Sequence, residues 1–305
     1  MLFVHIPKTA GTSFRKALED KFGKRHMLLD YGTQSNETSD MVVDYVYEQG
    51  DIYKFIRKLD KKKLLLGHFP YHKYRRGFLS QNVATFVREP VKRVVSEYRH
   101  FCRHADYDKG IETFMNTKRF INIQSRFLRG IPAGMIGFLG LSEEYETSLK
   151  LFKYVYDIKL PVIAANRAPD NQQVTITDDQ LEQIADINAS DVALYKRCKT
   201  VFERRVQQME AGEPIAMGYW QKMPKAPFVE GAAYNFGSDK PVVVQALRNG
   251  KVVAEQVAQK ASDVGALTNA PRDGFVGFRF QIPPKELKNT RFKVKGASVL
   301  LTRGL

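Results

Sequence analysis

The chain has 305 residues, a formal net charge of +15 and an apolar content of 43%. These values are typical of a globular protein and exclude a disordered or fibrous chain. A chain of this length can hold one large domain, or a catalytic domain followed by a small one. Its two cysteines are too few for a disulfide framework, which indicates a reducing compartment and no structural zinc.

The positive charge is concentrated in the first part of the chain. Residues 1–130 contain 25 Lys and Arg against 14 Asp and Glu. Because a basic surface raises the local concentration of anions, this distribution favours an anionic ligand over solubility alone. No run approaches the roughly 20 apolar residues of a membrane span, and the first residues lack the pattern of a signal peptide. We therefore expect a cytoplasmic protein without a membrane span.

Three short apolar runs, at residues 2–6, 63–67 and 83–87, each end in a loop. The first and third loops lead into helical patterns at 13–22 and 91–101. Unbroken apolar strands separated by helices predict a parallel sheet that is buried on both faces. Ligand sites in such sheets lie beyond the carboxyl ends of the strands. The three loops are therefore expected at one edge of a P-loop-like α/β sheet flanked by helices.

Helical patterns continue through the middle of the chain. They are predicted at 111–116, 118–128, 142–153 and 190–209. Thr177, followed by two acidic residues, is predicted to cap a further helix.

The composition changes after residue 212, where linker-like segments with Gly and Pro precede alternating apolar runs. Strands are predicted at 242–247, 251–254, 275–282, 291–294 and 298–301. Asn249-Gly250 is expected to join the first two as a hairpin. The sequence thus predicts a catalytic domain at 1–212, a linker at 213–227 and a small, sandwich-like all-β domain at 228–305.

The loop between the first strand and the first helix has the composition of an anion site. Free amide groups and the positive end of the helix dipole lie at such a junction. Lys8 adds a mobile charge, Gly11 a turn, and Thr12 and Ser13 hydroxyl donors. The P-loop G-x-x-x-x-G-K-[ST] has its lysine after the glycines, whereas Lys8 precedes Gly11. This order excludes an ATP or GTP site of that type and disfavours a kinase.

Two segments carry a resemblance to a known family. The string HIPKTAGTS at residues 5–13 is similar to the 5′-phosphosulfate loop of carbohydrate sulfotransferases of the heparan sulfate 2-O-sulfotransferase type. The string VREPVKRVVS at 87–96 resembles the 3′-phosphate element of that family. The resemblance covers about residues 1–210. It implies the donor 3′-phosphoadenosine 5′-phosphosulfate (PAPS), the product adenosine 3′,5′-diphosphate (PAP), and a bacterial-type member with an added carboxyl-terminal β domain.

The resemblance also assigns the donor contacts. The 5′ side of PAPS is expected to contact Lys8, Thr9, Ala10, Gly11, Thr12 and Ser13. Arg88 and Ser96 are expected to hold the 3′-phosphate, for which a guanidinium with two parallel donors is well suited. Lys8 would also neutralise the charge that develops on the leaving phosphate. No Asp or Glu cluster typical of a magnesium site accompanies these loops, so we expect no metal.

The base that takes the acceptor proton should have a pKa near neutral, which favours histidine. The segment GHFPY at 67–71 resembles the family element that contributes the catalytic histidine, and we predict His68 as the general base. Eukaryotic members have two histidines there, spaced by one residue, whereas the earlier position here is Leu66. His5, beside the donor loop, is the second candidate, although a histidine at the end of a buried strand also suits the core.

The acceptor is inferred from charge. Three basic residues follow the predicted base: Lys73, Arg75 and Arg76. They would suit an acidic glycan, but a solvated loop explains them equally well. A weaker resemblance places three further side chains in the cleft: Asn122, Gln124 and Arg126. The alternatives are another hydroxyl acceptor (a tyrosine, a lipid or a small metabolite) and a polyanion-binding protein without catalysis. No nucleic acid partner is expected, and the oligomeric state is open.

Overall fold

A computed structural model describes residues 1–59, 63–105, 107–163, 175–223 and 226–304. Within these ranges, the amino-terminal part contains the strands β1 (Leu2–Val4), β2 (Met27–Asp30), β3 (Leu64–Gly67), β4 (Val83–Val87) and β5 (Phe138–Leu141). They form one sheet in the order β2-β3-β1-β4-β5. All neighbouring strands in it run parallel.

The sheet is buried on both faces because its strands are short apolar runs. β1, β3, β4 and β5 are buried at every position, and β2 at every position but Leu29. The predicted α/β sheet is therefore confirmed. β2 and β5 were not predicted, because β2 follows a basic segment and ends in Asp30, and β5 is interrupted by Gly140.

Helices flank this sheet. They are α1 (Gly11–Phe22), α2 (Asp40–Val42, continued by a π-helical segment over Val43–Glu48), α3 (Ile52–Lys58), α4 (Pro90–His104), α5 (Ile111–Met115), α6 (Ile123–Phe127), α7 (Tyr145–Tyr156), α8 (Asp178–Ile187) and α9 (Ala189–Glu210). Short 3₁₀ turns lie at Lys24–His26, Tyr71–Lys73, Arg75–Gly77, Ser80–Asn82, Lys118–Phe120, Ala133–Met135, Ser142–Glu144 and Arg272–Gly274.

Two helix predictions can be compared directly with these bounds. The predicted helix at 118–128 was wrong as one element, because Asn122 has a left-handed backbone with φ of 51° that separates a 3₁₀ turn from α6. The predicted cap is confirmed, since the Thr177 hydroxyl accepts from the amide of Gln180 at the start of α8.

The carboxyl-terminal part contains two further sheets. Its strands are β6 (Ala216–Lys222), β7 (Phe228–Asn235), β8 (Val243–Arg248), β9 (Lys251–Val257), β10 (Gly277–Gln281), β11 (Thr290–Val294) and β12 (Thr302–Arg303), with the short helices α10 (Asp263–Leu267) and α11 (Pro284–Leu287). The sheets have the orders β10-β7-β6-β12 and β11-β8-β9. Side chains from both, including Phe278 and Phe292, share one apolar core, so the predicted small β domain is confirmed.

Of two local predictions in this part, the hairpin at Asn249-Gly250 is confirmed and the strand at 298–301 is not. Asn249-Gly250 joins β8 to β9, and both residues have the positive φ that such a hairpin turn requires. The predicted strand at 298–301 was wrong, because Val299 and Leu301 are buried without joining a ladder and the strand comes next, at β12. The alternating apolar residues at 298–301 therefore indicated which side chains are buried, but not that the segment pairs as a strand.

The expected linker at 213–227 is partly structured. β6 lies within it and pairs with β7 and β12. Met217 and Tyr219 of this strand are buried in the same apolar core as the amino-terminal sheet. This segment is therefore not a free linker, since part of it packs the β sheets against the α/β part.

Arg205 of α9 contributes polar contacts to this packing, beside others such as the hydrogen bond between Ser80 and Tyr234. Its guanidinium is buried and donates to the carbonyl oxygens of Gly134, Ile136 and Gly137 at 2.7–3.2 Å. Burial lowers the pKa of Arg205 to about 10, which leaves it charged at neutral pH. Gly134 is tight against β6, because a Cβ there would lie 1.9 Å from the Gly218 carbonyl oxygen. Arg205 therefore orders the turn on which β6 packs.

We predict that Arg205→Met lowers the free energy of unfolding by about 3 kcal/mol or more, because buried carbonyl groups lose their donors. Denaturant unfolding of the purified protein measures the change. Lys199 lies on the same helix but is exposed, and its ion pair with Glu203 is a loose one at 3.9 Å, so Lys199→Ala should change the free energy of unfolding by less than about 0.5 kcal/mol. Equal effects of the two substitutions would contradict the role of Arg205.

Candidate functional site

The loop after β1 approaches the start of α1 in a strained conformation. Lys8 and Ala10 both have φ of 66°, in the left-handed region. α1 begins at Gly11, no side chain of the described residues caps it, and its first turn carries no acidic residue. The amide groups of that turn therefore point to a place where an anion would be stabilised by hydrogen bonds and by the helix dipole.

The start of α4 differs, although it lies at the same edge of the sheet. The Glu89 carboxylate accepts from the amide groups of Val91 and Lys92, at 3.1 and 2.7 Å. This helix end is thus already satisfied by a negative charge of the protein. An anion at this edge would bind at α1, while α4 can contribute only through side chains.

Gly11 is needed for a close approach and not for a turn. A Cβ there would lie 2.0 Å from Cδ2 and 2.3 Å from Nε2 of His5, and the His5 ring is itself buried. Thr9 is also buried, and its hydroxyl donates to the Ile6 carbonyl at 2.8 Å. The Thr9 side chain therefore shapes the loop instead of facing a ligand.

A cavity of about 1080 Å³ opens at the carboxyl ends of β1, β3 and β4, and we call it the sheet-edge cavity. Most of the predicted donor and catalytic residues line it: Lys8, Ala10, Gly11, Thr12, Ser13, His68, Arg88 and Ser96. Residues that the sequence analysis did not assign line it as well: Lys92, Glu97, His100 and the segment 142–147. The three predicted loops thus meet at one cavity.

Arg88 is positioned through its backbone. Its amide donates to Gln124 Oε1 at 2.9 Å, and Gln124 Nε2 donates back to the Arg88 carbonyl at 2.8 Å. The Arg88 guanidinium donates to the Lys8 carbonyl at 3.2 Å, which joins two of the loops. Burial lowers the pKa of Lys8 and of Arg88, so each cation would gain from an anionic ligand.

Gln124 belongs to a buried network behind Arg88. The Asp191 carboxylate of α9 accepts from the amide groups of Gln124 and Ser125, at 3.1 and 2.7 Å. Asn122 accepts from the amide of Asp191 at 3.0 Å. Gln124 and Asn122, expected in the cleft, are thus held by the protein itself.

His68 has the tautomer that a base requires. Its Nδ1 lies 2.7 Å from the His5 carbonyl oxygen, and because a carbonyl can only accept, Nδ1 carries the proton. The lone pair of the neutral ring is therefore on Nε2. The side chain is exposed to the cavity, but the protein around it still desolvates the ring and lowers the pKa of His68 below its ordinary value, more than the hydrogen bond to His5 raises it. The ring is neutral at physiological pH and able to accept a proton at Nε2.

His5 lies against His68, with ring centroids 4.4 Å apart, and also lines the cavity. Its Nδ1 is 3.0 Å from the Tyr31 hydroxyl, and burial lowers its pKa well below the ordinary value. The pairing of β1 with β3 thus supplies a second histidine that the sequence around Leu66 lacks. Tyr31 was not predicted, because it follows the unpredicted strand β2.

None of the three basic residues after His68, which were predicted to contact the acceptor, lines the sheet-edge cavity. Lys73 donates to the buried Asp30 carboxylate at 2.7 Å, and the hydroxyl groups of Tyr47 and Tyr74 donate to the same group. Burial raises the pKa of Asp30, but these hydrogen bonds lower it by more, so the net pKa lies below the ordinary value. The carboxylate is therefore charged and paired. Lys73 is a structural residue for this reason. Arg75 and Arg76 are absent from the lining of the sheet-edge cavity.

Arg126 was also expected in the cleft, and with Asn122 it lines a second cavity instead. The two cavities share no lining residue among those described. Of the segment 122–128 that carries the weaker resemblance, Gln124 forms hydrogen bonds with a predicted donor residue, Arg88.

Residues 1–133 match a family model described as the sulfotransferase family. This match supports a sulfotransferase. The matched segment contains Lys8, His68, Arg88 and Ser96. A search of curated proteins found nothing that matches the chain.

The remaining expectations concern a membrane span and a metal site. No helix in the described ranges is long and apolar enough to cross a membrane. Nor do those ranges hold a group of three or more His, Cys, Asp or Glu side chains that could bind a metal. A metal-independent reaction stays a prediction.

We predict that Gly11→Ala disturbs both the donor loop and His5, because the new methyl group cannot fit against the ring. The free energy of unfolding should fall by about 1–3 kcal/mol, the usual cost of overpacking. Thermal unfolding tests this, with Gly110→Ala as the control, since Gly110 has φ of −54° and its nearest neighbour is the Glu112 side chain at 3.2 Å. An unchanged melting temperature for Gly11→Ala would contradict the close approach.

Proposed function

We propose that this protein is a PAPS-dependent O-sulfotransferase. The observation that carries the proposal is the convergence of three features at one cavity: the uncapped start of α1 with Lys8, the Arg88 and Ser96 side chains, and His68 with its free Nε2. The family match supports sulfuryl transfer in general.

PAPS would bind two parts of the cavity through its two anionic ends. Its 5′-phosphosulfate would lie on the amide groups of α1 and against Lys8. Its 3′-phosphate would bind Arg88 and Ser96, which lie on the strand–helix junction beside this loop.

Transfer would proceed in line. The acceptor oxygen forms a bond to sulfur while the bond from sulfur to the 5′-phosphate oxygen breaks, and the acceptor proton passes to His68 Nε2. Charge builds on the leaving phosphate, so Lys8 and the amide groups stabilise the transition state more than the ground state. His5 is the second candidate for the base.

For the acceptor we propose the hydroxyl of a carbohydrate, with an acidic glycan favoured by the excess of positive charge in residues 1–130. One observation favours a different acceptor. Glu143, Glu144 and Glu146 line the sheet-edge cavity, and such a wall suits a neutral or cationic hydroxyl compound better than a polyanion. Sulfation of an array of acidic glycans, neutral glycans and tyrosine peptides with labelled PAPS separates the two.

Calorimetry of PAP binding tests the donor site. We expect Arg88→Ala to weaken binding roughly 10- to 100-fold, because a charged hydrogen-bond donor to phosphate is lost. The control is Lys16→Ala, which removes an exposed cation from α1 outside the cavity and should leave the affinity unchanged. Absence of micromolar-range PAP binding by the wild type would refute the proposed donor.

His68→Ala should lower the turnover number about 10²- to 10⁴-fold, the usual contribution of a general base, while PAP affinity changes little. Because the lowered pKa of His68 lies below about 6.5, wild-type turnover should rise with pH up to that region and be level above it. His72→Ala, exposed and outside the cavity lining, is the matched control. Simultaneous loss of turnover and PAP binding would instead give His68 a structural role in the donor loop.

A further inference from the structure

A second cavity, of about 790 Å³, lies between α6, α9 and β12. We call it the basic cavity. Asn122, Ser125 and Arg126 line it from the α6 region, whereas Gln124 of the same region faces Arg88. It therefore lies on the other side of α6 from the sheet-edge cavity. Most of its lining comes from residues 118–133, inside the family match, and the rest comes from α9 and from β12 with the residue after it, which lie outside that match.

The charge of the basic cavity is of one sign. Its lining contains six cationic side chains and, among the described residues, no Asp or Glu: Lys118, Arg119, Arg126, Arg129, Arg197 and Arg303. None of the six takes part in an ion pair within the described part of the chain. Like charges gathered in a concave site repel one another and focus a positive potential, which an anionic ligand relieves.

The cations belong to anchored elements. The Arg126 guanidinium donates to the carbonyl groups of Lys118 and Arg119, both at 3.2 Å. Arg303 follows Thr302 in β12, which pairs with β6, and its guanidinium lies 5.8 Å from the centroid of the Trp220 ring. Contacts within the protein thus orient two of the six cations, Arg126 and Arg303, before a ligand binds, which reduces the entropy cost of binding.

The cavity also offers an unused hydroxyl group. Ser125 Oγ is enclosed and has no hydrogen-bond partner in the described residues. Buried polar atoms are nearly always paired, so this atom points to a ligand or a water molecule that completes the site.

The lining residues of the basic cavity favour some classes of anion over others. It contains no aromatic side chain among the described residues, so nucleobases would lack the stacking surface on which single-stranded nucleic acids depend. Its volume is within the range of small-ligand sites and would hold a few sugar rings. Guanidinium groups suit sulfate and carboxylate, and Ser125 and Ser190 suit sugar hydroxyl groups.

We infer that the basic cavity binds a sulfated or carboxylated oligosaccharide segment at a site separate from the chemistry. This assignment does not depend on the donor site, because the two cavities have no described lining residue in common. It gives the carboxyl-terminal β part, through Arg303, a share in ligand binding.

Calorimetry with a size-defined dextran sulfate tetrasaccharide, at low and at physiological salt, tests the inference. We expect binding by the wild type, none of the uncharged dextran tetrasaccharide, and at least about tenfold weaker binding by Arg129→Ala/Arg197→Ala. Lys196→Ala/Lys199→Ala removes two exposed cations from α9 outside the cavity and should bind like the wild type. Arg303→Ala should weaken binding in the same direction as the cavity double variant.

PAP affinity, measured on the same samples, should be unchanged in all of these variants, which separates this test from the donor test. Three results would overturn the inference: no binding of the sulfated tetrasaccharide at low salt, equal losses in the cavity and control variants, or an oligodeoxynucleotide that binds as tightly and depends on the same arginines. The last result would assign the cavity to nucleic acid.

Discussion

The candidate site depends on the parallel pairing of β1 with β3 on one side and β4 on the other. Val4 is in register with Gly67 and with Thr85, so β1 and β3 end at one level and β4 runs two residues further. Gly67 permits the close approach of β3 to its other neighbour, β2, because a Cβ there would lie 1.8 Å from the Asp30 carbonyl oxygen. This register brings together the loops that carry Lys8, His68 and Arg88, and the hydrogen bond from Arg88 to the Lys8 carbonyl joins two of them across 80 positions in the sequence.

Most polar side chains near this edge position other residues and are not themselves available to a ligand. Gln124 holds the Arg88 backbone, the His5 carbonyl fixes the tautomer of His68, and Asp30 gathers Lys73 with two tyrosines. A buried polar group that lacks a partner costs free energy, so each of them is satisfied within the protein. Lys8 and Arg88 line the cavity with cations that an anionic ligand would satisfy, whereas Glu143, Glu144 and Glu146 line it with carboxylates that such a ligand would not satisfy.

The β sheets at the carboxyl end are part of the same molecule's architecture and not an appended module on a free linker. β6 packs on the α/β core, Arg205 orders the turn beneath it, and β12 brings Arg303 to the basic cavity. The protein thus presents two concave sites of different character. One combines cations with a wall of glutamates, whereas the other is lined by cations without a described carboxylate.

The sequence by itself determined the local units: β1, β3 and β4, the loop-to-helix junction at Lys8 and Gly11, and the Asn249-Gly250 hairpin. Strand, turn and cap signals act between near neighbours, so one sequence can reveal them. Only the tertiary structure decided that Lys73 forms an ion pair with Asp30 and that Gln124 holds the Arg88 backbone. It also decided that His5 lies against His68 and that cations from distant parts of the chain line the basic cavity. These contacts join residues that are at least 36 positions apart in the sequence, and no local pattern specifies which side chains will meet over such a separation.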